Sequence, residues 1–380
     1  MAIIGLLLPH SSLYPSLSVD LTEGLKSGVA GAGLGEVTWA IEGIGFGTDA
    51  DDLLAKSQKL LLQEGVDLVV GMLPRRMAGK VAPLFTSANR LLLLLDVLGE
   101  FFVDPPAPTV FYHSLQTCLS CRLTGRKAVE SGATGIIQVS SFYDAGYLQG
   151  YATAQGVETN GGHMVQYFVS SHVPDQVSLQ NLQVGLASGE AQAVVGLYSG
   201  HLAEQFYRLY SQLPQPLPLW VAPMMLEEQM LAQVPFPREN IRGFVAWSER
   251  LETAANENFK ETIRRRGRRP NLFSLLGFEA GMIVADHLKK ISETKYPTTE
   301  VYEQLSTWAF DGPRGRIKFN QNTHYSFGPL YAAAVVPDEK GHCRLANLTP
   351  EPTVDKDFTA FQNEPPPLTH TGWHNSYLCI

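Results

Sequence analysis

Short apolar runs alternate with amphipathic stretches from the first residues of the chain onward. Ile3 to Leu8, Val37 to Ile44, Asp67 to Val70 and Arg90 to Leu95 read as strands. Between them, Ser18 to Ala30, Ala50 to Glu64 and Pro74 to Ala88 carry helical patterns. Neighbouring parallel strands need a crossover, which a helix supplies, so this alternation predicts an α/β fold with parallel sheets covered by helices on both faces.

A proline-rich loop, Asp104-Pro105-Pro106-Ala107-Pro108, ends this first set and leads into an extended segment, Val110 to His113. That segment reads as a first crossing between two lobes. The alternation then restarts with a helix from Leu115 to Glu130. Strands follow near Gly135 to Val139, Met164 to Val169, Ala191 to Leu197 and Leu217 to Val221. After a further strand, Ile241 to Trp247, helical patterns over Leu251 to Arg266 and Asn271 to Lys290 suggest a return to the first lobe, which would then be built from non-contiguous pieces. Pro350, Pro352 and Pro365-Pro366-Pro367 mark the remainder as a tail along the surface or loosely ordered. There is no repeat of solenoid period.

Composition narrows the function classes. With 380 residues, 44% hydrophobic and 17% charged, the chain is globular and long enough for about two domains. Its formal net charge of -8 provides no overall attraction for nucleic acid or an anionic membrane. The basic run Arg264-Arg265-Arg266 with Arg268-Arg269 precedes Pro270 at a predicted helix end, where cations suit the dipole; it is a solvated face or a partner-docking patch. No stretch approaches the ~20 apolar residues of a membrane span. Ala2 to Leu8 lacks a basic flank and a cleavage site, so the chain is either cytoplasmic or a mature form with its export signal replaced by Met1. Four cysteines cannot build a dense disulfide framework, and Cys118 and Cys121 have no second pair at zinc spacing. Buried thiols or one local disulfide are expected.

Enzyme signatures are weak. Gly31-Ala32-Gly33-Leu34-Gly35 follows a helix and precedes a strand, the reverse of a dinucleotide-binding loop. Phosphate-loop, nucleophile-elbow and zinc-protease motifs are absent from the sequence. His370 and His374 have helical spacing but lie in the proline-rich tail around Gly372. Neither a metal nor a cofactor is expected.

The segment Phe310-Asp311-Gly312-Pro313-Arg314-Gly315-Arg316-Ile317-Lys318-Phe319 resembles the "F-x-G-P-x-G-x-x-x-F" turn of type I periplasmic binding proteins of the leucine/isoleucine/valine family. Three further stretches are similar at matching order: Gly5-Leu6-Leu7-Leu8-Pro9 followed by Ser11 and Tyr14; Gly65-Val66-Asp67-Leu68-Val69-Val70-Gly71; and Gly277-Phe278-Glu279-Ala280. The resemblance covers roughly Ile3 to Val336. It implies two Rossmann-like lobes joined by three crossing hinge strands, a ligand between them, closure by hinge bending and no catalysis. The lobes would comprise residues 1–113 with 249–327, and 114–248 with 328–349, leaving 350–380 as the tail. The partners implied are a small-molecule ligand and an ABC permease of the inner membrane, with no nucleic acid and no direct membrane insertion.

Carried onto this sequence, the family's cleft falls on Ser12 and Tyr14 after the first strand; on Arg75, Arg76 and Met77 after Pro74; on Asp96; on Phe142 and Tyr143; on Tyr198 and Ser199; and on Met224 and Trp247. Proline as the first helical residue would leave the amides of Arg75, Arg76 and Met77 pointing into the cleft, a site for a carboxylate, with both arginines adding charge or facing outward. Asp96 either contacts a ligand or caps its own turn. The aromatic residues supply rigid contact area. Where amino-acid binders of the family place a glutamate on the ligand ammonium, this chain has Ala222-Pro223-Met224-Met225. The expected ligand is therefore a carboxylate or an apolar small molecule rather than a plain α-amino acid. The expected function is the solute-binding component of an ABC importer, the alternative being a cytoplasmic ligand sensor that regulates a partner protein.

Overall fold

Leu91 to Leu95 are five consecutive leucines, and all five are buried, as a strand covered on both faces requires. They belong to β4 in the computed structural model, which describes residues 2–99, 106–142, 144, 147–171, 173–234, 240–294 and 297–364. The first lobe runs β1 (Ala2–Leu8), α1 (Leu17–Gly31), β2 (Val37–Gly43), α2 (Ala50–Gln58) with a π turn over Lys59–Gln63, β3 (Leu68–Gly71), α3 (Arg75–Ala88), β4 (Leu91–Asp96) and β5 (Val110–Ser114). Its sheet is parallel in the order β2-β1-β3-β4-β5. The segment read as the first crossing is thus the fifth strand of this sheet, and the chain leaves the lobe just after it, at Leu115 and Gln116.

The second lobe repeats the plan with α4 (Thr117–Glu130), β6 (Gly135–Ser141), α5 (Tyr147–Glu158), β7 (His163–Ser170), α6 (Gln180–Ala187), β8 (Ala193–Leu197), α7 (Gly200–Tyr210), β9 (Leu219–Val221), α8 (Glu228–Leu231) and β10 (Ile241–Val245). Its parallel strands stand in the order β7-β6-β8-β9-β10, the topology of the first lobe over again. The chain then returns as α9 (Ala254–Arg265), α10 (Leu272–Thr294) and α11 (Thr299–Ser306), followed by a small antiparallel sheet of β11 (Ala309–Gly312), β12 (Gly315–Phe319) and β13 (Ser326–Phe327). It crosses once more, and β14 (Tyr331–Pro337) and β15 (Cys343–Pro350) extend the second sheet antiparallel beyond β10.

The returning α10 packs closely along α1 through small residues. A Cβ on Gly28 would lie 2.1 Å from the Phe278 oxygen, and one on Gly277 would lie 2.1 Å from the Leu21 oxygen. One continuous apolar cluster runs from Ile4, Leu93 and Phe278 in the first lobe, past Leu115 and Leu119, to Ile136, Val195 and Phe244 in the second. The tail expectation needs correction over part of its length. Val354–Asn363 form α12, with Phe358 and Phe361 buried, because these aromatics fall on one face of an amphipathic turn. His370, His374 and the three consecutive prolines lie outside the described residues. Cys118, Cys121 and Cys343 are buried thiols.

Candidate ligand-binding cleft

In an open parallel sheet, ligands bind beyond the carboxyl ends of the strands where the strand order reverses. The reversal falls between β1 and β3 in the first lobe and between β6 and β8 in the second. The loops after those strands meet. Gly200, which follows β8 with a positive φ of 52°, donates its amide to the Tyr14 Oη after β1 at 3.1 Å. Tyr14 is held from its own side, with its ring edge-on to Phe273 at 5.0 Å and its amide donating to Ser11 Oγ at 3.0 Å.

Behind this contact lies Asp144. Its Oδ2 accepts from Ser141 Oγ at 2.7 Å and from the Ser199 amide at 3.1 Å, which fixes the two second-lobe loops to each other. Burial raises the Asp144 pKa, partly offset by the serine hydrogen bonds. Burial, reinforced by Asp144 and Glu227, pushes the Tyr14 phenol far above its ordinary value, so it stays protonated.

Beside the hinge, Leu115, Met224, Leu226, Val245, Trp247 and Leu272 line an apolar cavity whose polar lining includes Thr117, Glu227 and Glu228. The space open to water is about 20 Å³, little more than one water needs. Trp247 donates its Nε1 hydrogen to Asn256 Oδ1 at 2.7 Å and stands edge-on to Phe259. Glu227 caps α8, accepting from the amides of Gln229 at 3.1 Å and Met230 at 2.7 Å. Glu228 accepts from Ser248 Oγ at 2.9 Å and from the Glu249 amide at 2.7 Å. Burial raises the pKa of both glutamates, with their amide hydrogen bonds acting the other way. Sequence reasoning missed Thr117, Glu227 and Glu228. The available signal was the acidic pair directly after the apolar turn Pro223 to Leu226.

Met224 and Trp247 thus line the cavity, and Tyr14 and Ser199 lie at the lobe contact. The other candidates sit differently. Tyr198, the residue after β8, is buried in the second-lobe core, stacked on Phe206 at 4.6 Å and bonded to Ser170 Oγ at 3.1 Å. Asp96 caps its own turn through the amides of Leu98 at 2.8 Å and Gly99 at 3.1 Å. Pro74 is the N-cap with ψ 138°, not the first helical residue, and the Met77 amide is already bonded to the Pro74 oxygen at 2.8 Å. Met77 packs on the first-lobe core, Arg75 is half-buried, and Arg76, Ser12 and Phe142 are exposed. Tyr143 lies outside the described residues.

The motifs that carried the resemblance converge on the first crossing. Glu279 of α10 and Arg314 of the β11–β12 turn are fully buried and paired, with Arg314 Nε at 3.0 and 3.2 Å from the carboxylate oxygens. Arg314 Nη2 also donates to the Ser114 oxygen at 2.9 Å, and His113 joins Glu279 at 3.0 Å to Ser326 at 2.9 Å. This network ties the last strand of the first lobe to the returning chain.

Two lobes of one topology, with their switch-point loops facing and an apolar cavity at the hinge, define a two-lobed protein that binds small molecules by closing on them. Residues 3–341 match the family described as periplasmic binding protein, and the chain belongs to that family, of the type I, leucine/isoleucine/valine-binding-like kind. Among solved structures, an ABC transporter substrate-binding protein from Sphaerobacter thermophilus is 20% identical over 92% of this chain and 98% of its own, with a TM-score of 0.80. A solute-binding protein of an ABC transporter from R. palustris in complex with benzoate is 20% identical over 92% and 96%, with a TM-score of 0.71. An amino acid ABC transporter substrate-binding protein from Pseudomonas fluorescens Pf-5 is 13% identical over 93% and 98%, with a TM-score of 0.72. No curated protein matches the sequence. Among the described residues, no helix is long and apolar enough to cross a membrane.

Proposed function

We propose that this chain is the solute-binding component of an ABC importer, exported and working with an inner-membrane permease, and that it binds a small, largely apolar monocarboxylate without catalysis. The observation that carries the reading is the contact of the two switch-point loops, Tyr14 on Gly200, beside a cavity walled by Met224, Leu226, Trp247 and Leu272. The half-buried Arg75, at the first position of α3, supplies a cation where the helix N-terminus also favours an anion. Asp96, Asp144, Glu227 and Glu228 are each oriented by amides or hydroxyls of their own surroundings. The benzoate complex of the R. palustris relative supports an aromatic acid as the first class to test, while the P. fluorescens relative keeps amino acids in the comparison.

The test is a thermal-shift screen against aromatic acids, short aliphatic acids, amides and amino acids. A ligand at ~100 times its dissociation constant adds about 2.7 kcal/mol to stability. Stabilisation by an aromatic or aliphatic acid that is lost in Arg75→Ala supports the reading. Stabilisation by leucine-like amino acids alone overturns the ligand class.

A further inference from the structure

Beyond the residues that match the family, the chain continues into α12, and this helix touches parts of the molecule that belong to opposite sides of the hinge. On one side it is anchored to α4 and α5 of the second lobe. Arg126 donates to Asp357 Oδ1 at 2.7 Å and Thr353 Oγ1 at 3.1 Å, and pairs with Glu351 at 3.2 Å. Arg122 and Gln155 converge on Glu364 Oε2 at 2.8 and 2.7 Å.

On its other side α12 packs against the β11–β13 sheet. Phe358 stacks on Phe327 with ring centroids 4.0 Å apart, Gln362 Nε2 donates to Thr323 Oγ1 at 3.3 Å, and Lys318 pairs with Asp355 at 2.8 Å. That sheet is fastened to the first lobe. Tyr112 of β5 donates its amide to the His324 oxygen at 2.9 Å and stacks on Tyr325 at 4.4 Å, and Arg314 is buried against Glu279 of α10.

We propose that α12 is a strap across the hinge that holds the lobes in the arrangement joined by Tyr14 and Gly200, so that opening requires its contacts on one side to slip. The weight of the strap lies in Phe358 and in the arginine cluster. The Lys318–Asp355 pair is exposed, at 42% and 71%, and contributes little. The contacts to α4 and α5 are charge-assisted and partly buried, whereas those to the small sheet are chiefly one aromatic stack, so the sheet side is where slip occurs first.

The inference does not depend on the ligand and is tested without one. Spin labels are placed on Leu62→Cys in the first lobe and Val184→Cys in the second, which are 76% and 71% exposed, in a full-length chain carrying Cys379→Ser. The distance distribution is compared between this background and Arg126→Glu, with folding checked by circular dichroism. The strap predicts a second, shifted distance component in Arg126→Glu that disappears when Asp357→Arg restores the pair in swapped form. Should Arg126→Glu fail to fold, Phe358→Leu, which keeps the burial and removes the stack, takes its place with the same expectation. A distribution unchanged in the folded variant overturns the proposal.

Discussion

Gly28 and Gly79 are both interior helical glycines, yet alanine should act on them with opposite signs. In α1, a Cβ at position 28 would sit 2.1 Å from the Phe278 oxygen and 3.0 Å from the Gly281 Cα. Reaching an ordinary contact distance would require α10 to withdraw locally by roughly 1 Å, which also opens the contacts at Gly24 and Gly277. Overpacking of this kind costs about 1–3 kcal/mol. Against this, alanine gains ~1 kcal/mol of helix propensity over glycine. The clash is with backbone, which cannot rotate away, so the upper part of the range applies and Gly28→Ala should lose about 1–2 kcal/mol net. Gly79 in α3 is exposed, and a Cβ there meets nothing within 4 Å. Gly79→Ala should therefore gain about 0.5–1 kcal/mol. Guanidinium denaturation of both variants, with m-values compared to the parent, measures the two shifts. A Gly28→Ala protein as stable as the parent would refute the close-packed α1–α10 seam.

Three more predictions rest on buried polar groups. His287 is buried and neutral, with burial first and Lys290 second pushing its pKa down to about 3. Its contribution is fully present above the unfolded value near 6.5 and is lost as pH falls toward about 3, so by pH 5 it should cost about 2 kcal/mol; His287→Leu should flatten the stability–pH curve in that window. Arg314→Met strands Glu279 in the fully buried junction and should destabilise by about 3–5 kcal/mol, measured by denaturation, whereas Arg314→Met with Glu279→Leu should cost less than the single change. Tyr14→Phe removes the acceptor for the Gly200 amide and should weaken the closed arrangement by about 1 kcal/mol, shifting the same spin-label distances toward open lobes with little change in secondary structure.

The sheets were legible because parallel strands buried on both faces leave near-continuous apolar runs, and the alternation with helices allows few topologies. The glycine-proline turn at Gly312 to Gly315 and the Glu279 segment were legible as motifs, but not their reason, which is that Arg314 and Glu279 neutralise each other in a fully buried junction. The site was harder to read. Side-chain direction at a strand end depends on the local turn, and this sends Tyr198 into the Phe206 stack while leaving Ser199 at the cleft. Asp96 was open to two readings, ligand contact or turn cap, because an aspartate can bond the amides two and three residues on, as it does here. Glu227 escaped notice because its place in the cavity depends on where α8 starts, and a four-residue helix carries no periodicity to read. The helix after Thr353 was obscured by the prolines on either side of it.

The volume of the cavity bears on how any ligand is bound. An apolar cavity that accepts benzene measures about 150 Å³, several times the roughly 20 Å³ open to water beside Trp247. An aromatic acid placed beside Trp247 therefore needs these walls to move apart. A ligand gains only from its differential affinity for the state it occupies, so contacts that hold the empty, closed arrangement compete with binding and contacts that persist around the ligand assist it. Tyr14 and the α12 contacts act on this balance from the cleft and from the hinge, respectively. Substitutions at Arg126, which lies outside the cavity, should then alter binding for every ligand by a common factor, while substitutions at Met224 or Trp247 should change the order of preference among ligands.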